Sequence, residues 1–105
     1  MKIRIPLLLA LTVGGITLDG TAAAGDAVAG QARSSTCAGC HGMNGVSNNG
    51  MYPNLAGQKE ACLVKAINAY RSGDRTDPTM KAMTGTLTDA DVENLAAFFS
   101  SQGCN

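Results

Sequence analysis

Apolar residues recur at helical spacing in two segments of the chain, and each segment carries residues that begin or end a helix. One face of each segment follows the i, i+3, i+4, i+7 pattern of an amphipathic helix. These apolar positions are Leu63, Ala66, Ile67 and Tyr70 in the first segment, and Val92, Leu95, Ala96 and Phe99 in the second. Gly73 is a C-cap for the first helix, and Thr88 with Asp91 resembles a capping box for the second. The pattern predicts helices over Lys59–Ser72 and from Thr88 onward.

Small residues predict a further, short helix over Asp26–Ser35, with Asp26 suited to its N-terminal turn. Two stretches with turn signals, Gly42–Gly57 and Arg75–Thr86, are predicted as loops, and Asp77-Pro78 is such a signal in the second. No segment alternates strictly between apolar and polar residues, so no substantial sheet is expected. The chain is therefore predicted to be all-α, with about three to five short helices.

The first 24 residues have the organisation of a secretory signal peptide. Lys2 and Arg4 give a positive start, an apolar run of about 14 residues follows, and small residues end it. A membrane anchor that stays is the alternative, but the run is shorter than the roughly 20 residues that a span needs. We expect residues 1–24 to be removed, with cleavage after Ala24 or after Ala23.

Residues 25–105 are then expected to form one exported domain, in the periplasm and without a membrane span. Such a domain buries only about 60–65% of its unfolded surface, which makes it marginal on its own. It holds four aromatic residues and no tryptophan. Six basic residues accompany seven acidic ones from residue 25 onward, with no basic stripe. This balance argues against a nucleic-acid partner.

The sequence Cys37-Ala38-Gly39-Cys40-His41 is the attachment signature of a c-type haem. Each thiol can add across a haem vinyl group to form a thioether, and His41 is then placed to bind the iron. A redox dithiol is one alternative, but it requires a βαβ setting that this chain lacks. A zinc site from Cys37, Cys40, His41 and Cys62 is another, although no second ligand pair supports it. A covalent haem would also supply the apolar mass that the small core lacks.

The second axial position of the iron has several candidates. His41 is the only histidine, so a second imidazole from the same chain is excluded. A methionine, a lysine or water remains, and a thioether favours Fe(II) and raises the reduction potential. Met80 and Met83 lie far from His41 in sequence, as a ligand from the opposite face of the haem should. Either could instead fill the core, and spacing alone favours Met80 only weakly.

From residue 25 onward the chain resembles the small bacterial monohaem class I cytochromes c over essentially its whole length. The matching features are Gly30 on a small first helix, the haem motif with Gly42, residues 52–58 (YPNLAGQ), residues 71–75 (RSGDR), Met80, and the last helix from Leu87 (LTDADV, then LAAFF). The resemblance implies a cytochrome c fold of short helices around one covalently bound haem. It also implies His41 and Met80 as axial ligands, since the family's axial methionine lies seven residues before the leucine at position 87.

The same resemblance implies roles for residues around the haem. Pro53 matches a proline whose carbonyl accepts the Nδ1–H of the axial histidine, which would fix its tautomer. Gly30 would meet Phe98 where the first and last helices cross. The haem propionates could bond to Tyr70, Arg71, Arg75 or Asn54, although these side chains could equally be solvated.

Cys62 and Cys104 remain after the haem takes two of the four cysteines. An even pair in an oxidising compartment predicts a disulfide. It would close a loop of about 42 residues, which the chain-entropy model values at roughly 4 kcal/mol. Two free thiols, or a bridge between two molecules through Cys104, are the alternatives. The resemblance does not support the pair, because such cytochromes often lack cysteines at these places.

These features together predict a carrier of single electrons, rather than an enzyme. Its expected partners are a membrane cytochrome complex and a terminal oxidase or reductase, and we expect a monomer or a weak dimer. One alternative is the haem subunit of a periplasmic dehydrogenase complex. Another is a haem protein with an open site that binds gases, which Met80 and Met83 argue against.

Overall fold

The computed structural model describes residues 25–103 and, apart from them, Gly14. The helices are α1 (Ala27–Arg33), α2 (Ser35–His41), α3 (Glu60–Ser72), α4 (Pro78–Thr84) and α5 (Asp89–Ser100). The described part of the chain contains no β-strand, so the predicted all-α class is confirmed. The signal peptide, its cleavage site and Cys104 lie outside the described residues.

The helix predicted over Asp26–Ser35 is present as α1, and a second helix that was not predicted, α2, begins after a break at Ser34. Asp26 caps α1, since its carboxylate accepts the Val28 N–H at 2.9 Å and the Ala29 N–H at 3.3 Å. The buried Ser34 hydroxyl donates to the Gln31 carbonyl at 2.7 Å. A serine that bonds to its own backbone competes with helix continuation. The chain therefore turns here and begins α2, which carries the haem motif.

Helix α3 follows the prediction closely. Lys59 is its N-cap residue and Glu60 its first helical residue, where a negative charge suits the helix dipole. Gly73 ends the helix in the left-handed conformation, with φ 92°. The Gly73 N–H bonds to the Ala69 carbonyl at 3.1 Å. The glycine C-cap inferred from the sequence is thus present.

The prediction of a continuous loop over Arg75–Thr86 is wrong, because α4 forms within it. The Asp77 carboxylate caps this helix by accepting the Met80 N–H at 2.9 Å. Pro78 occupies the first turn, where its missing N–H costs nothing and its fixed φ suits a helix. The Asp-Pro pair that indicated a turn is therefore a helix start, and Met80 and Met83 are helical residues.

Helix α5 supplies most of the core. Thr88 and Asp91 form the reciprocal capping box at its start. The buried apolar cluster consists of Leu63, Leu87, Val92, Leu95, Ala96, Phe98 and Phe99. Helix α1 crosses α5 at Gly30, where a Cβ would collide with the Asn94 carbonyl and lie 2.9 Å from the Phe98 Cβ. The crossing of Gly30 with Phe98 that the resemblance implied is thus present.

The close approach at Gly30 predicts that Gly30→Ala destabilises the protein. The added methyl group meets backbone that cannot move without separating α1 from α5, and such overpacking costs about 1–3 kcal/mol. Gly50→Ala is the matched control, because nothing lies within 4 Å of a Cβ built there. Urea unfolding of the holoprotein measures both. Equal stability of the two variants would contradict the crossing.

The capping box also predicts a dependence of stability on pH. The Thr88 N–H that bonds to the Asp91 carboxylate lowers the pKa of that group, and Arg33 adds to the effect. The stabilisation is therefore complete above the ordinary carboxyl pKa of about 4, and is lost as the pH falls through the lowered value. Asp91→Asn should be less stable than wild type at pH 7, and this difference should shrink below about pH 4. Urea unfolding across this range tests it, with the exposed Asp74→Asn as control; a constant difference would contradict the effect.

Candidate functional site

Helix α2 places the two motif cysteines on the same side. Residues three apart on a helix are surface neighbours, so Cys37 and Cys40 present their sulfurs together. Cys40 is exposed, whereas Cys37 is half-buried and packs against the apolar core. Burial raises the pKa of the Cys37 thiol, and the Thr36 hydroxyl, 3.9 Å from its sulfur, and Arg33 offset part of this rise.

The His41 imidazole is held in one orientation. His41 is only 6% exposed, and its Nδ1 lies 2.8 Å from the Pro53 carbonyl oxygen. A carbonyl oxygen can only accept, so Nδ1 carries the proton and donates it. The neutral ring therefore keeps its lone pair on Nε2, which is the form that binds a metal. This contact joins residues twelve apart in the chain, and it is the one that the resemblance implied for Pro53.

The loop between α2 and α3 folds back to bring Pro53 to His41. Gly42 ends α2 with φ 85° and Gly45 follows with φ 78°, a region that favours glycine. The Gly45 carbonyl accepts the N–H groups of Leu55 at 2.8 Å and Ala56 at 3.1 Å. Farther along the loop, the Asn54 side chain accepts the Ser47 N–H at 2.7 Å. These bonds fix the loop on both sides of Pro53.

Tyr52 is a site residue to which the sequence interpretation gave no role. Its ring stands edge-on to the His41 ring, with centroids 6.2 Å apart and planes at 65°. Aromatic edges and faces attract in this arrangement, so Tyr52 supports the orientation that Pro53 sets. Its place next to Pro53 in the sequence was the available signal.

The two candidate methionines differ in exposure. Met80 is half-buried on α4, with its N–H bonded to the Asp77 cap. Met83 lies one turn later and is 51% exposed. Burial therefore distinguishes the two residues more clearly than sequence spacing does.

Besides Asn54, which accepts the Ser47 N–H, the other three side chains considered as propionate partners also have partners within the protein. Arg71 pairs with Asp89 through Nη1 and Oδ1 at 2.9 Å. The Arg75 guanidinium lies over the Tyr70 ring, 4.5 Å from its centroid. These contacts give the three side chains a structural use that is independent of a ligand.

A zinc site does not assemble from the described residues. Within residues 25–103, no three His, Cys, Asp or Glu side chains come close enough together to hold a metal ion. Cys62, the fourth ligand considered, is exposed in the first turn of α3. Its proposed disulfide partner, Cys104, lies outside the described residues, so the structure does not test that pairing. Among the described helices, none is long and apolar enough to cross a membrane.

The donor set fits a covalently bound haem. The site offers two neighbouring thiols and an imidazole with Nε2 as the metal-binding atom, all on α2. Large apolar side chains nearby in sequence lack protein cover: Met43 is 81% exposed and Met51 is 83% exposed. Cys37, one of these donors, packs against the apolar core. A large apolar group attached at Cys37 and Cys40 would use these features together.

Comparison with known proteins agrees with this fit. The family model for cytochrome c matches residues 22–103. Cytochrome c4 of Pseudomonas aeruginosa is 41% identical over 101 residues, which cover 96% of this chain and 48% of that protein. Cytochrome c-554(548) of Halomonas halodenitrificans is 43% identical over 82 residues, covering 75% of this chain and 99% of that protein. The crystal structure of reduced cytochrome c4 from Pseudomonas stutzeri superposes with a TM-score of 0.73 at 39% identity, covering 76% of this chain and 47% of the other.

The relatives differ in length and in name. This chain spans about half of each cytochrome c4 that it matches and nearly all of the cytochrome c-554(548). A further relative is the thiosulfate dehydrogenase electron acceptor of Thiomonas intermedia, 31% identical over 95% of this chain and 46% of that protein. The family match covers the two cysteines, the histidine and all five helices. The chain therefore belongs to the cytochrome c family, and its cofactor is a covalently bound haem c.

Proposed function

We propose that this protein is a periplasmic carrier of single electrons with one haem c and no catalytic activity of its own. The observation that carries the proposal is the fixed orientation of His41, which directly follows the second motif cysteine. His41 is buried, and its Nδ1 is bonded to the Pro53 carbonyl. This arrangement fixes the tautomer and orientation of an axial ligand before the metal binds. Fixed ligands reorganise little when the charge on the metal changes, which favours electron transfer.

Each residue of the site has a distinct part in this proposal. Cys37 and Cys40 form the thioether bonds, and His41 supplies the first axial nitrogen. Pro53 makes that nitrogen a stronger donor through the Nδ1–H bond. When bound, haem c supplies an iron that alternates between Fe(III) and Fe(II). The protein holds the ligands in place.

Met80 is proposed as the second axial ligand. Its position on α4 puts it on a different element from His41, and α4 packs on α3 rather than on α2. Met80 is also more buried than Met83, as a side chain turned toward the cofactor should be. A neutral sulfur donor stabilises Fe(II) and gives a higher reduction potential than a second nitrogen ligand.

We propose one haem for residues 25–105, because they hold a single C-x-x-C-H and a single histidine. The match over 99% of cytochrome c-554(548) supports a unit of this length that acts on its own. The near-neutral charge argues against a nucleic-acid partner. We propose a membrane cytochrome complex as electron donor and a terminal oxidase or reductase as acceptor, with the carrier as a monomer or weak dimer.

A haem subunit of a periplasmic dehydrogenase is the second candidate. The relative named thiosulfate dehydrogenase electron acceptor favours it. Sedimentation of the holoprotein in periplasmic extract separates the two functions. A diffusing carrier sediments alone, whereas a subunit sediments together with a larger enzyme.

The proposed ligation predicts the effect of Met80→Ala on the optical spectrum. The oxidised wild type should show a weak long-wavelength sulfur–iron charge-transfer band and be low-spin, and the reduced wild type should fail to bind carbon monoxide. Met80→Ala should lose the band completely and become high-spin when oxidised, and it should bind carbon monoxide when reduced, because its sixth position is open. Met83→Ala is the matched control and should keep the band. A high-spin wild type that binds carbon monoxide would instead support a gas-binding protein.

The proposed disulfide between Cys62 and Cys104 predicts the number of reactive thiols. In denatured holoprotein, no thiol should react with iodoacetamide before reduction and two should react afterwards, because the haem occupies the other two. Cys62→Ser with Cys104→Ser should lower the free energy of unfolding by up to about 4 kcal/mol. Two reactive thiols without reduction, or a disulfide-linked dimer on a non-reducing gel, would contradict an intramolecular bridge.

A further inference from the structure

Lys81 links α4 to the end of α3. Its Nζ lies 2.8 Å from the Arg71 carbonyl oxygen, in the last turn of α3. In a continuing helix the Arg71 carbonyl would accept the N–H of Arg75, four residues later. That N–H bonds to the Ala69 carbonyl instead. The Arg71 carbonyl is thus one of the terminal groups that a helix leaves without an intrahelical partner. A cation here also meets the negative end of the helix dipole, so the contact is favourable in two ways.

Arg71 is itself held in place by its side chain. Its guanidinium donates through Nη1 to Asn68 and to Asp89, each at 2.9 Å. Asp89 is the first residue of α5. The contact of Lys81 with Arg71 and the contact of Arg71 with Asp89 therefore connect α4, α3 and α5. We call this pair of contacts the α4 latch.

Little of α4 is buried. The helix has seven residues, and Thr84 is the one that is buried. An open surface depression lies between the end of α3 and the start of α4, lined by residues that include Gly73, Asp77, Pro78 and Lys81. Because few side chains of α4 are buried, the polar link at Lys81 contributes to the attachment of the helix to α3.

We propose that Lys81 is a positioning residue that keeps α4, and with it the adjacent Met80, in place against α3. The inference rests on the proposed role of Met80 as axial ligand. Lys81 does not touch the iron in this arrangement. It acts through the backbone of α4, by limiting how often the helix moves away and takes the methionine sulfur with it.

The experiment compares three variants of the oxidised holoprotein at constant pH. Lys81→Met removes the charge at nearly equal length, Lys81→Arg keeps a donor, and Lys65→Met is the matched control on the exposed face of α3. The first readout is the rate at which added imidazole replaces the methionine, followed by loss of the sulfur–iron band. The second readout is hydrogen exchange at the amides of α4 and α5.

Lys81→Met should accept imidazole roughly fivefold faster than wild type, the factor that one ordinary hydrogen bond carries. Amides of α4 should exchange faster by a similar factor, while those of α5 keep the wild-type rate. Lys81→Arg should restore both rates to within about twofold of wild type, since its guanidinium can also donate to the carbonyl. Lys65→Met should leave both unchanged.

Equal imidazole rates in Lys81→Met and Lys65→Met would overturn the proposal. So would faster exchange in α4 and α5 alike, which would show a general loss of stability. Failure of the proposed ligation is distinguishable from both, because the sulfur–iron band would then be absent from the wild type or would survive in Met80→Ala. Exchange in α4 would still report on the latch in that case.

Discussion

The Phe99 side chain and backbone together fix the long loop that follows the haem motif. Its carbonyl accepts the Gly57 N–H at 3.0 Å, and its ring lies so close to Gly45 that a Cβ there would be 2.7 Å from the ring. The loop is thus attached to α5 near both of its ends. Pro53 lies between these two attachments, which keep its carbonyl within hydrogen-bond distance of His41. The orientation of His41, the proposed axial ligand, therefore depends on the last helix, far away in sequence.

The protein core and the cofactor site share the same residues. Helix α5 contributes most of the buried apolar side chains, and Cys37, a proposed haem attachment point, packs against this cluster. A domain of this size has little apolar surface to bury on its own. Covalent attachment at α2 adds a large apolar group next to the cluster. Stability and cofactor binding are consequently coupled in this protein, because the same packing serves both.

The sequence predicted the elements whose signals are local. Helices α3 and α5 have both apolar periodicity and cap residues, so both ends of α3 and the start of α5 were predicted nearly correctly. Helix α4 was missed because it is short and has no clear apolar stripe, and because Asp77-Pro78 indicates a turn as well as a helix start. The break at Ser34 depends on one side-chain bond to the backbone, which no periodicity reveals.

The residues of the candidate site likewise differ in whether a local signal in the sequence predicted them. The cysteines and His41 follow from one contiguous motif, whereas Pro53 came from a family resemblance rather than from the residues themselves. The link from Lys81 to Arg71 joins a side chain to a backbone carbonyl on another helix. Residue identities do not show that a carbonyl lacks an intrahelical partner, so this contact required the structure.

The group that orients His41 is a main-chain carbonyl, which limits how mutations can alter this hydrogen bond. Every amino acid has a carbonyl, so no single replacement at position 53 deletes the acceptor. Only a shift of the loop can weaken the bond. The donor strength of the imidazole, and through it the reduction potential, is therefore set by backbone position. Insertions and deletions between α2 and α3 should tune this potential more than substitutions at the proline do.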